Sequence, residues 1–342
     1  MEIYGFYKGE RKSLTQLAAE SGVSYDTLLA RYKAGVPFGE LVDISEDAKS
    51  AGGSAVRNLL DNSDFANPVN QRGKTTYTTA GIAYAIDRWQ NQCGTLTVHD
   101  GYVNWTSDGS ANYKRLIQKL GVKFAAGKTY TIAMFARVNA VSGGAQMRFA
   151  NNYSPVSGAV SKYITKTTSD FEWFICSHTF TEDIAIPGFD ILITNTTVSI
   201  LDIDIKYAAI YEGKYTVETL PEYQPKGYGA ELLECQRYLY RLSASGVMMT
   251  GGNAGGQYSY FYLPLPVALQ GTGVPTLEHS GVDIYPFKTG GAVEITAFST
   301  GILSSRNGVT LRATHATGVA AERDAMALRI GAGGYLAINM EL

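Results

Sequence analysis

The chain has few charged residues and few cysteines, and it has no long hydrophobic run. Charged residues make up 18% of its 342 residues, and the formal net charge is −2. Nucleic-acid-binding proteins neutralise phosphates with clustered Lys and Arg, so this composition argues against that class. Three widely spaced cysteines fit neither a disulfide framework nor a zinc knuckle. No stretch approaches the length of a membrane span, and the start has neither a basic nor an apolar region, so we expect no membrane insertion and no signal peptide.

The sequence also lacks the local signatures of common enzyme classes. It contains no GxSxG elbow, no HExxH pair and no phosphate-binding loop. Asp202 and Asp204 lie two apart on a predicted strand and share a face, where they could bind a cation or face water, and we favour water. We therefore expect no catalysis and no cofactor. The histidines stand too far apart for metal-ligand spacing: His99, His178, His279 and His315.

Glycine and tyrosine are abundant instead. The chain has 37 glycines, and its 23 tyrosines heavily outnumber its 3 tryptophans. Gly-rich turns between short aromatic and β-branched runs predict a mainly β protein. The length suggests two or three domains.

Residues 1–43 differ from the rest because they show helical spacing. Ser13 and Gln16 form a capping-box pattern, and Gly22 stands where that helix would end. The run "SLTQLAAESGVSYDTLLARYKAG" resembles the helix-turn-helix family. That resemblance implies DNA binding, but we favour docking on another protein because acidic residues offset the basic ones. The residues that would face a DNA groove are Ser24, Tyr25, Thr27 and Arg31.

A polar, Gly-containing linker is expected over residues 44–56, followed by a β unit over residues 57–222. Several runs in this unit alternate as half-buried strands do. Tyr130, Ile132 and Met134, for example, fall on the opposite face from Thr131 and Phe135. We predict strands within residues 94–105, 128–138, 145–150, 171–180 and 190–211. Strands at this spacing, separated by Gly, Pro and Asn turns, predict a jelly-roll β-sandwich.

Residues 223–342 are predicted to form a β-rich tip domain. Its first part is "ELLECQRYLYR" at residues 231–241, where long side chains could cover apolar surface with their stems while their tips find polar partners. Such a segment could join two domains or two subunits. Further on, the closing strand at residues 334–342 is expected to pair inside this unit. The junction residues are Glu231, Gln236, Arg237, Tyr238, Tyr240 and Arg241.

Two parts of the sequence resemble structural proteins of phage tails. The junction "ELLECQRY" closely resembles the segment of tail fibres and baseplate-tip proteins at which a sandwich domain ends and a β-rich tip begins. The runs "NLLDNSDFANPVNQRG", "IDRW" and "DGYV" resemble the carbohydrate-binding-module-like sandwiches of such proteins. The resemblance implies a homotrimer in the virion, made in the cytoplasm of a bacterial host. Its N-terminal module would bind other tail or baseplate proteins, and its far end a host cell-surface glycan or protein.

Sugar binding needs exposed aromatic rings beside amides and carboxylates. In the sandwich the candidates are Trp105, Tyr113, Tyr153 and Trp173, with the alternative that the two tryptophans lie in the core. In the tip the candidates are aromatic and polar positions that we expect to be exposed: Tyr258, Tyr260, His279, Asp283 and Tyr285.

Asp61 and Asp64 are weak candidates for a calcium site at the start of the sandwich, which would fit related sandwiches.

The sequence thus favours a non-catalytic phage tail protein that attaches to the host cell surface. One alternative is a tail-associated polysaccharide depolymerase, which would need two acids across a sugar cleft. A second alternative is a DNA-associated protein acting through the N-terminal helices, although the charge balance makes DNA an unfavoured partner.

Overall fold

The computed structural model divides the chain into two compact units, Met1–Arg57 and Asn58–Leu342. The structure describes residues 3–7, 10–21, 25, 28–29, 32, 38, 41, 56–107, 113–193, 199–243, 245–270, 275–288, 291–300, 308–317 and 324–340.

The first unit pairs a β-hairpin with a helix. Strands β1 (Tyr4–Tyr7) and β2 (Glu10–Ser13) are antiparallel, and helix α1 (Leu14–Ser21) follows directly. The hairpin was not predicted from sequence, since its charged second strand lacks apolar alternation. The capping box is confirmed: the Ser13 amide donates to Gln16 Oε1 at 2.8 Å, and the Gln16 amide donates to Ser13 Oγ at 3.2 Å.

A small core holds this unit together. Leu14 and Leu17 of α1 are fully buried with Leu28 and Leu41. Tyr25 is helical and exposed, while Ser24, Thr27, Arg31 and most of the linker at residues 44–56 lie outside the described residues. The helix-turn-helix interpretation therefore stays a prediction.

The second unit begins with a sandwich built from one continuous antiparallel sheet folded over its own core. The strand order is β10-β8-β12-β6-β4-β5-β13-β7-β11, with β3 paired to β4 and β9 to β8. The strands are β3 (Thr76–Tyr84), β4 (Gln90–His99), β5 (Tyr102–Ser107), β6 (Lys114–Lys119), β7 (Thr129–Ser142), β8 (Ala145–Asn151), β9 (Ser154–Pro155), β10 (Lys162–Ile164), β11 (Glu172–Thr179), β12 (Pro187–Ile193) and β13 (Ile200–Glu212).

Strand β4 carries the sheet from one layer of the sandwich to the other. Gln90 and Gln92 pair with β6, whereas residues from Gly94 onward pair with β5. Cys93, between them, has a φ of 50°, a left-handed conformation that bends the strand. The layers enclose a core in which the Trp89 ring lies 4.8 Å from Phe65 and 5.8 Å from Phe189.

The predicted alternation in β7 is confirmed on its inner face, where Ile132 and Met134 are fully buried. Two predicted runs were each too long for one strand. The run over residues 94–105 is split by a turn at Asp100 and Gly101 between β4 and β5, and the run over residues 190–211 covers most of β12 and β13.

A short helix, α2 (Tyr228–Gln236), leads from the sandwich to a second antiparallel sheet. Its main strand order is β18-β17-β21-β15-β16-β20-β19, with β14 paired to β21. His279 on β17 packs edge-on against Phe298 on β19 at 5.2 Å, so the sheet curls around its apolar core. The strands are β14 (Leu239–Leu242), β15 (Gly246–Asn253), β16 (Tyr258–Pro264), β17 (Thr276–Pro286), β18 (Val293–Glu294), β19 (Ala297–Thr300), β20 (Gly308–Thr314) and β21 (Ala325–Asn339).

The closing strand pairs inside its own sheet, as predicted. Strand β21 is bonded to β14, β15 and β17, so it lies in the middle of the sheet and not at an edge. The mainly β fold class with a sandwich is confirmed by these two sheets. Among the helical residues that the structure describes, none belongs to a helix with the length and hydropathy needed to cross a bilayer.

Candidate functional site

Three tyrosines form a row on the outer face of β16. The strand alternates strictly, so Phe261 and Leu263 enter the core while Tyr258, Tyr260 and Tyr262 point outward. Their exposed fractions are 37%, 38% and 55%. Residues two apart on a strand lie about 7 Å apart, so the row presents three evenly spaced rings. We call these three residues the tyrosine row.

Neighbouring residues fix the tyrosine row. The Arg312 guanidinium on β20 lies 5.4 Å from the Tyr258 ring centre, and the Gln257 side chain donates to the Tyr258 hydroxyl at 3.0 Å. A Cβ on Gly308 would lie 2.1 Å from the Tyr262 hydroxyl oxygen, so the Tyr262 ring crosses the strand where a side chain is missing. The position of the Tyr262 ring therefore depends on a glycine in the neighbouring strand β20, which pairs directly with β16.

The other three tip candidates lie apart from the tyrosine row, on β17. The Asp283 carboxylate accepts two hydrogen bonds from Arg329, at 3.0 and 2.9 Å. The same guanidinium lies 5.0 Å from the Tyr285 ring centre. His279 is exposed and packs against Phe298. Since β21 and β15 separate β17 from β16, the five tip candidates do not form one site.

A second cluster of aromatic and polar groups lies on the outer face of β5, β13 and β7. The Phe171 ring is approached by Lys206 Nζ at 4.4 Å and by the Arg137 guanidinium at 5.1 Å, and it packs edge-on against Tyr102 at 6.4 Å. Phe135 lies 5.8 Å from Phe171. We call this cluster the sandwich patch; it consists of Tyr102, Asn104, Phe135, Arg137, Phe171, Asp202, Asp204 and Lys206.

Hydrogen bonds hold the polar half of the sandwich patch. Asn104 Nδ2 donates to Asp202 at 2.7 Å and to Asp204 at 2.8 Å, and Arg137 donates twice to Asp204, at 3.1 and 2.7 Å. Burial alone would raise the pKa of Asp204, but hydrogen bonds from Arg137 and the two neighbouring asparagine side chains outweigh burial and lower that pKa. Asp204 is only 3% exposed, so the expectation that it faces water is wrong.

The segment after β13 covers the rest of this face. The Tyr223 ring stacks on Tyr207 at 4.3 Å, and Tyr215 packs against Tyr211 at 6.0 Å. Trp173 is half-buried there, 5.0 Å from Phe135, in a cluster with Leu220. One edge of the predicted ligand residue Trp173 therefore packs under the exit segment.

Trp105 is a core residue and not a ligand-binding one. It is fully buried, and its indole N–H donates to Asn91 Oδ1 at 2.9 Å. Its position on β5 points it inward, because Tyr102 and Asn104 occupy the outward positions. This corrects the prediction that Trp105 stacks on a sugar, in favour of the alternative that the sequence left open.

Tyr113 and Tyr153 come together around Arg115. The Arg115 guanidinium lies 5.9 Å from the Tyr113 ring centre and 5.6 Å from that of Tyr153. Tyr113 is exposed, while the Tyr153 hydroxyl donates to Gln90 at 2.6 Å. Arg115 also lies 3.9 Å from the fully buried Asp190, so this group braces the outer face of β6 and β12.

The predicted junction residues lie between the sandwich and the second sheet. Glu231, on α2, is 6% exposed and accepts a hydrogen bond from the Asn62 amide of the sandwich. Burial raises the pKa of Glu231, although that hydrogen bond and Lys226, at 3.6 Å, oppose the rise. The buried carboxylate therefore ties the helix to the start of the sandwich.

The Tyr238 ring forms the centre of the junction. It is 3% exposed, and the Arg88 guanidinium of the sandwich lies 3.5 Å from its centre. Arg88 also donates to the Lys119 carbonyl at 3.0 Å and pairs with Asp61 at 3.3 Å. The buried Arg88 guanidinium thus hydrogen-bonds to the sandwich and packs its flat face on the Tyr238 ring, which leads into the second sheet.

Gln71 makes the second link. Its side chain donates to Asp87 at 2.6 Å and to the Leu239 carbonyl at 2.6 Å, and its oxygen accepts from the Arg241 amide at 3.3 Å. Arg241 lies over Tyr335 at 3.7 Å, and Tyr240 packs against the core of the second sheet. Arg237 pairs with Glu234 at 3.0 Å, and Gln236 is half-buried at the end of α2.

The two calcium candidates serve other contacts. Asp61 is paired with Arg88 and, at 3.8 Å, with Lys226, while Asp64 caps its own turn by accepting from the Ala66 amide at 3.2 Å. Within the described ranges no three His, Cys, Asp or Glu side chains group as metal ligands would. The charge of the Asp61 carboxylate is therefore neutralised by Arg88 and Lys226 of the chain itself.

The sequence-based ligand candidates did not include Tyr262 or most of the sandwich patch. Tyr262 follows Tyr258 and Tyr260 at the same period of two, so that signal was available. Phe135 and Arg137 could be placed on one face of β7 from their alternation. Phe171 could not, because only the register between β7 and β11 brings it beside them.

Comparisons with known proteins give low similarity. No family model matches the chain, and no curated protein matches it. An arabinose-bound GH51 α-L-arabinofuranosidase structure is 15% identical over 60% of this chain, with a TM-score of 0.36, and only 33% of that protein is matched.

Two smaller structures are matched over 99% of their length. A CBM4 module is 18% identical over 45% of this chain, with a TM-score of 0.31. The CBM22-1 xylan-binding domain of Paenibacillus barcinonensis Xyn10C is 11% identical over 48%, with a TM-score of 0.29.

Proposed function

We propose that this chain is a non-catalytic attachment protein of a phage tail, and that the tyrosine row binds a glycan of the host envelope. The observation that carries the proposal is the exposure of three evenly spaced tyrosine rings on one strand, at 37%, 38% and 55%. The phage tail context is supported by the resemblance of the junction segment at residues 231–241.

The tyrosine row suits a long, uncharged ligand. A tyrosine offers an apolar ring and a hydroxyl, and it loses little conformational entropy on binding. Sugar rings present both apolar C–H faces and hydroxyls, so they match this pair of properties. Arg312 beside Tyr258 adds a donor at one end of the row.

The sandwich patch is a second candidate contact for the same glycan. Phe171 and Tyr102 supply rings, while Asn104 and Asp202 supply polar atoms beside them. Its aspartates already accept hydrogen bonds from the chain, which favours an orienting role over one in acid–base chemistry. This arrangement supports binding without cleavage.

Each site alone would bind its glycan weakly, so several copies of the site in one assembly would raise the overall affinity. A homotrimer would present three tyrosine rows and raise avidity without new contacts. The N-terminal unit would then attach the protein to other tail or baseplate proteins in the virion.

A cell-binding assay of the full chain tests the proposal. Labelled wild-type protein is expected to bind cells of a susceptible bacterium, and Tyr260→Ser is expected to reduce that binding by roughly tenfold, as loss of an interface tyrosine does. Tyr163→Ser is the matched control, because Tyr163 is 63% exposed but lies on β10. Equal loss in both variants would contradict the proposal.

Incubation with purified envelope polysaccharide separates binding from cleavage. We expect the polysaccharide to keep its chain length after prolonged incubation. In a separate measurement on the protein alone, light scattering should give a mass near that of three protein chains. Shortened polysaccharide would favour the depolymerase instead. Salt-sensitive duplex binding would favour the DNA-associated alternative.

A further inference from the structure

A cleft of about 170 Å³ lies along β3 on the sandwich, and its lining residues belong neither to the tyrosine row nor to the sandwich patch. Its lining residues include the aromatic Tyr77 and Tyr84 and the hydroxyl-bearing Thr76 and Thr79. Sites for drug-sized ligands occupy roughly 300–1,000 Å³, so this smaller cleft is limited to a ligand of about one sugar ring. Donors, acceptors and aromatic surface therefore meet in one small space.

Side-chain hydrogen bonds hold the residues at one end of the cleft in place. Asn70 closes the turn before β3: its side chain donates to the Lys74 carbonyl at 2.7 Å and accepts from the Gly73 amide at 3.2 Å. The Tyr77 hydroxyl donates to Asn70 and accepts from the Lys74 amide at 3.2 Å. These bonds fix both Lys74 and the Tyr77 ring at the mouth of the cleft.

The inner end is held equally well. Asn91 is 1% exposed; its Nδ2 donates to the Tyr77 carbonyl at 3.1 Å and to the Gly94 carbonyl at 2.7 Å. On the outer side, the Arg72 guanidinium lies 5.4 Å from the Tyr84 ring centre. Both aromatic walls are thus held in place by neighbouring polar side chains.

The charge of the cleft is positive. Lys74 is the single charged residue among its lining residues, and it is exposed. The nearby Asp87 is fully buried and already holds Gln71, at 2.6 Å, and Arg72, at 3.6 Å. An anionic group in the cleft would therefore meet an ammonium and no competing carboxylate within the described residues.

We infer that this cleft binds one carboxylate-bearing sugar residue, a uronic acid, with the carboxylate at Lys74 and the ring between Tyr77 and Tyr84. Lys74 supplies a charge-assisted hydrogen bond, and the hydroxyls of the walls supply bonds to the sugar hydroxyls. The site is separate from the tyrosine row, so either can fail without the other.

Saturation-transfer NMR on the full chain, with glucuronate as the probe, tests the inference. We expect saturable binding that Lys74→Met weakens about tenfold, as loss of a hydrogen bond to a charged group does. Lys74→Arg is expected to retain most of the binding. Lys123→Met is the matched control, since Lys123 is exposed and lies outside the cleft.

Two further probes fix the ligand class. Glucose should bind at least tenfold more weakly than glucuronate, and acetate should not compete with it. Equal binding of glucose would refute the role of Lys74 in binding the carboxylate. Full competition by acetate would show that the cleft binds a carboxylate and not a sugar ring. Tyr260→Ser should leave glucuronate binding unchanged, whereas a parallel loss would overturn the separateness of the cleft.

Discussion

Arg88 connects the sandwich to the second sheet, and Arg88→Ala should weaken that connection. The side chain is 2% exposed, and its partners include the Tyr238 ring at 3.5 Å, the Lys119 carbonyl at 3.0 Å and the Asp61 carboxylate at 3.3 Å. Truncation to Ala removes all three contacts and leaves a void beside a buried ring.

The expected loss is about 3 kcal/mol in the free energy of unfolding. Breaking a buried ion pair by removing one partner costs roughly 3–5 kcal/mol, and a desolvated cation–π contact contributes about 2 kcal/mol. Asp61 keeps Lys226 as a partner at 3.8 Å, which places the loss at the lower end. Arg88→Lys should lose less, since the charge stays while the flat stacking face is removed.

Urea unfolding followed by tryptophan fluorescence measures this loss, because Trp89 and Trp105 are buried in the sandwich. Far-ultraviolet circular dichroism reports both sheets, so its transition should separate from the fluorescence transition in Arg88→Ala if the two sheets no longer unfold together. Lys123→Ala, an exposed control, should stay within about 0.5 kcal/mol of the wild type. A similarly small change in Arg88→Ala would refute the role given to Arg88.

Three further predictions concern the junction and the sandwich patch. Gln71→Ala should destabilise the protein by about 1–2 kcal/mol, since it removes one hydrogen bond to the buried Asp87 and the side-chain hydrogen bond to the Leu239 carbonyl; a neutral result in thermal unfolding would contradict that link. The folded pKa of Glu231 is raised, so its protonation favours folding; this contribution is present at acid pH and is lost as the pH rises through that pKa. Glu231→Gln should therefore lose stability less steeply than the wild type from about pH 4 to 7, and a constant difference across that range would count against burial as the cause. Asp204 has the opposite sign: its folded pKa is lowered, so its contribution is present above the ordinary Asp value and is lost as the pH falls through the folded pKa. Arg137→Ala should thus lower stability at neutral pH and converge with the wild type in acid, whereas equal destabilisation at all pH values would show that the ion pair is not responsible.

Local patterns in the sequence predicted the elements but not the way they meet. The Ser13–Gln16 capping box and the inner face of β7 follow from spacing within a few residues. That the last strand is paired follows from its place at the end of the chain, where an unpaired strand would fray, but its partners do not. The outward position of Tyr258 and Tyr260 follows from the period of two in β16.

The remaining features depend on contacts between distant residues. The bend of β4 needs a left-handed φ at Cys93, a residue type that gives no sign of it. Trp105 and Trp173 looked alike in sequence, yet register buries one in the core and places the other under the exit segment. The junction partners Arg88 and Tyr238 are separated by most of the sandwich, so only the fold joins them.

Hydroxyl-radical footprinting of the full chain, with and without purified host-envelope polysaccharide, tests the attachment surface most directly. The account predicts that oxidation of Tyr258, Tyr260 and Tyr262 falls on binding while Tyr163 and Tyr228, which are 63% and 48% exposed, keep their rates. Protection of Tyr163 or Tyr228 with unchanged oxidation of the tyrosine row would contradict it.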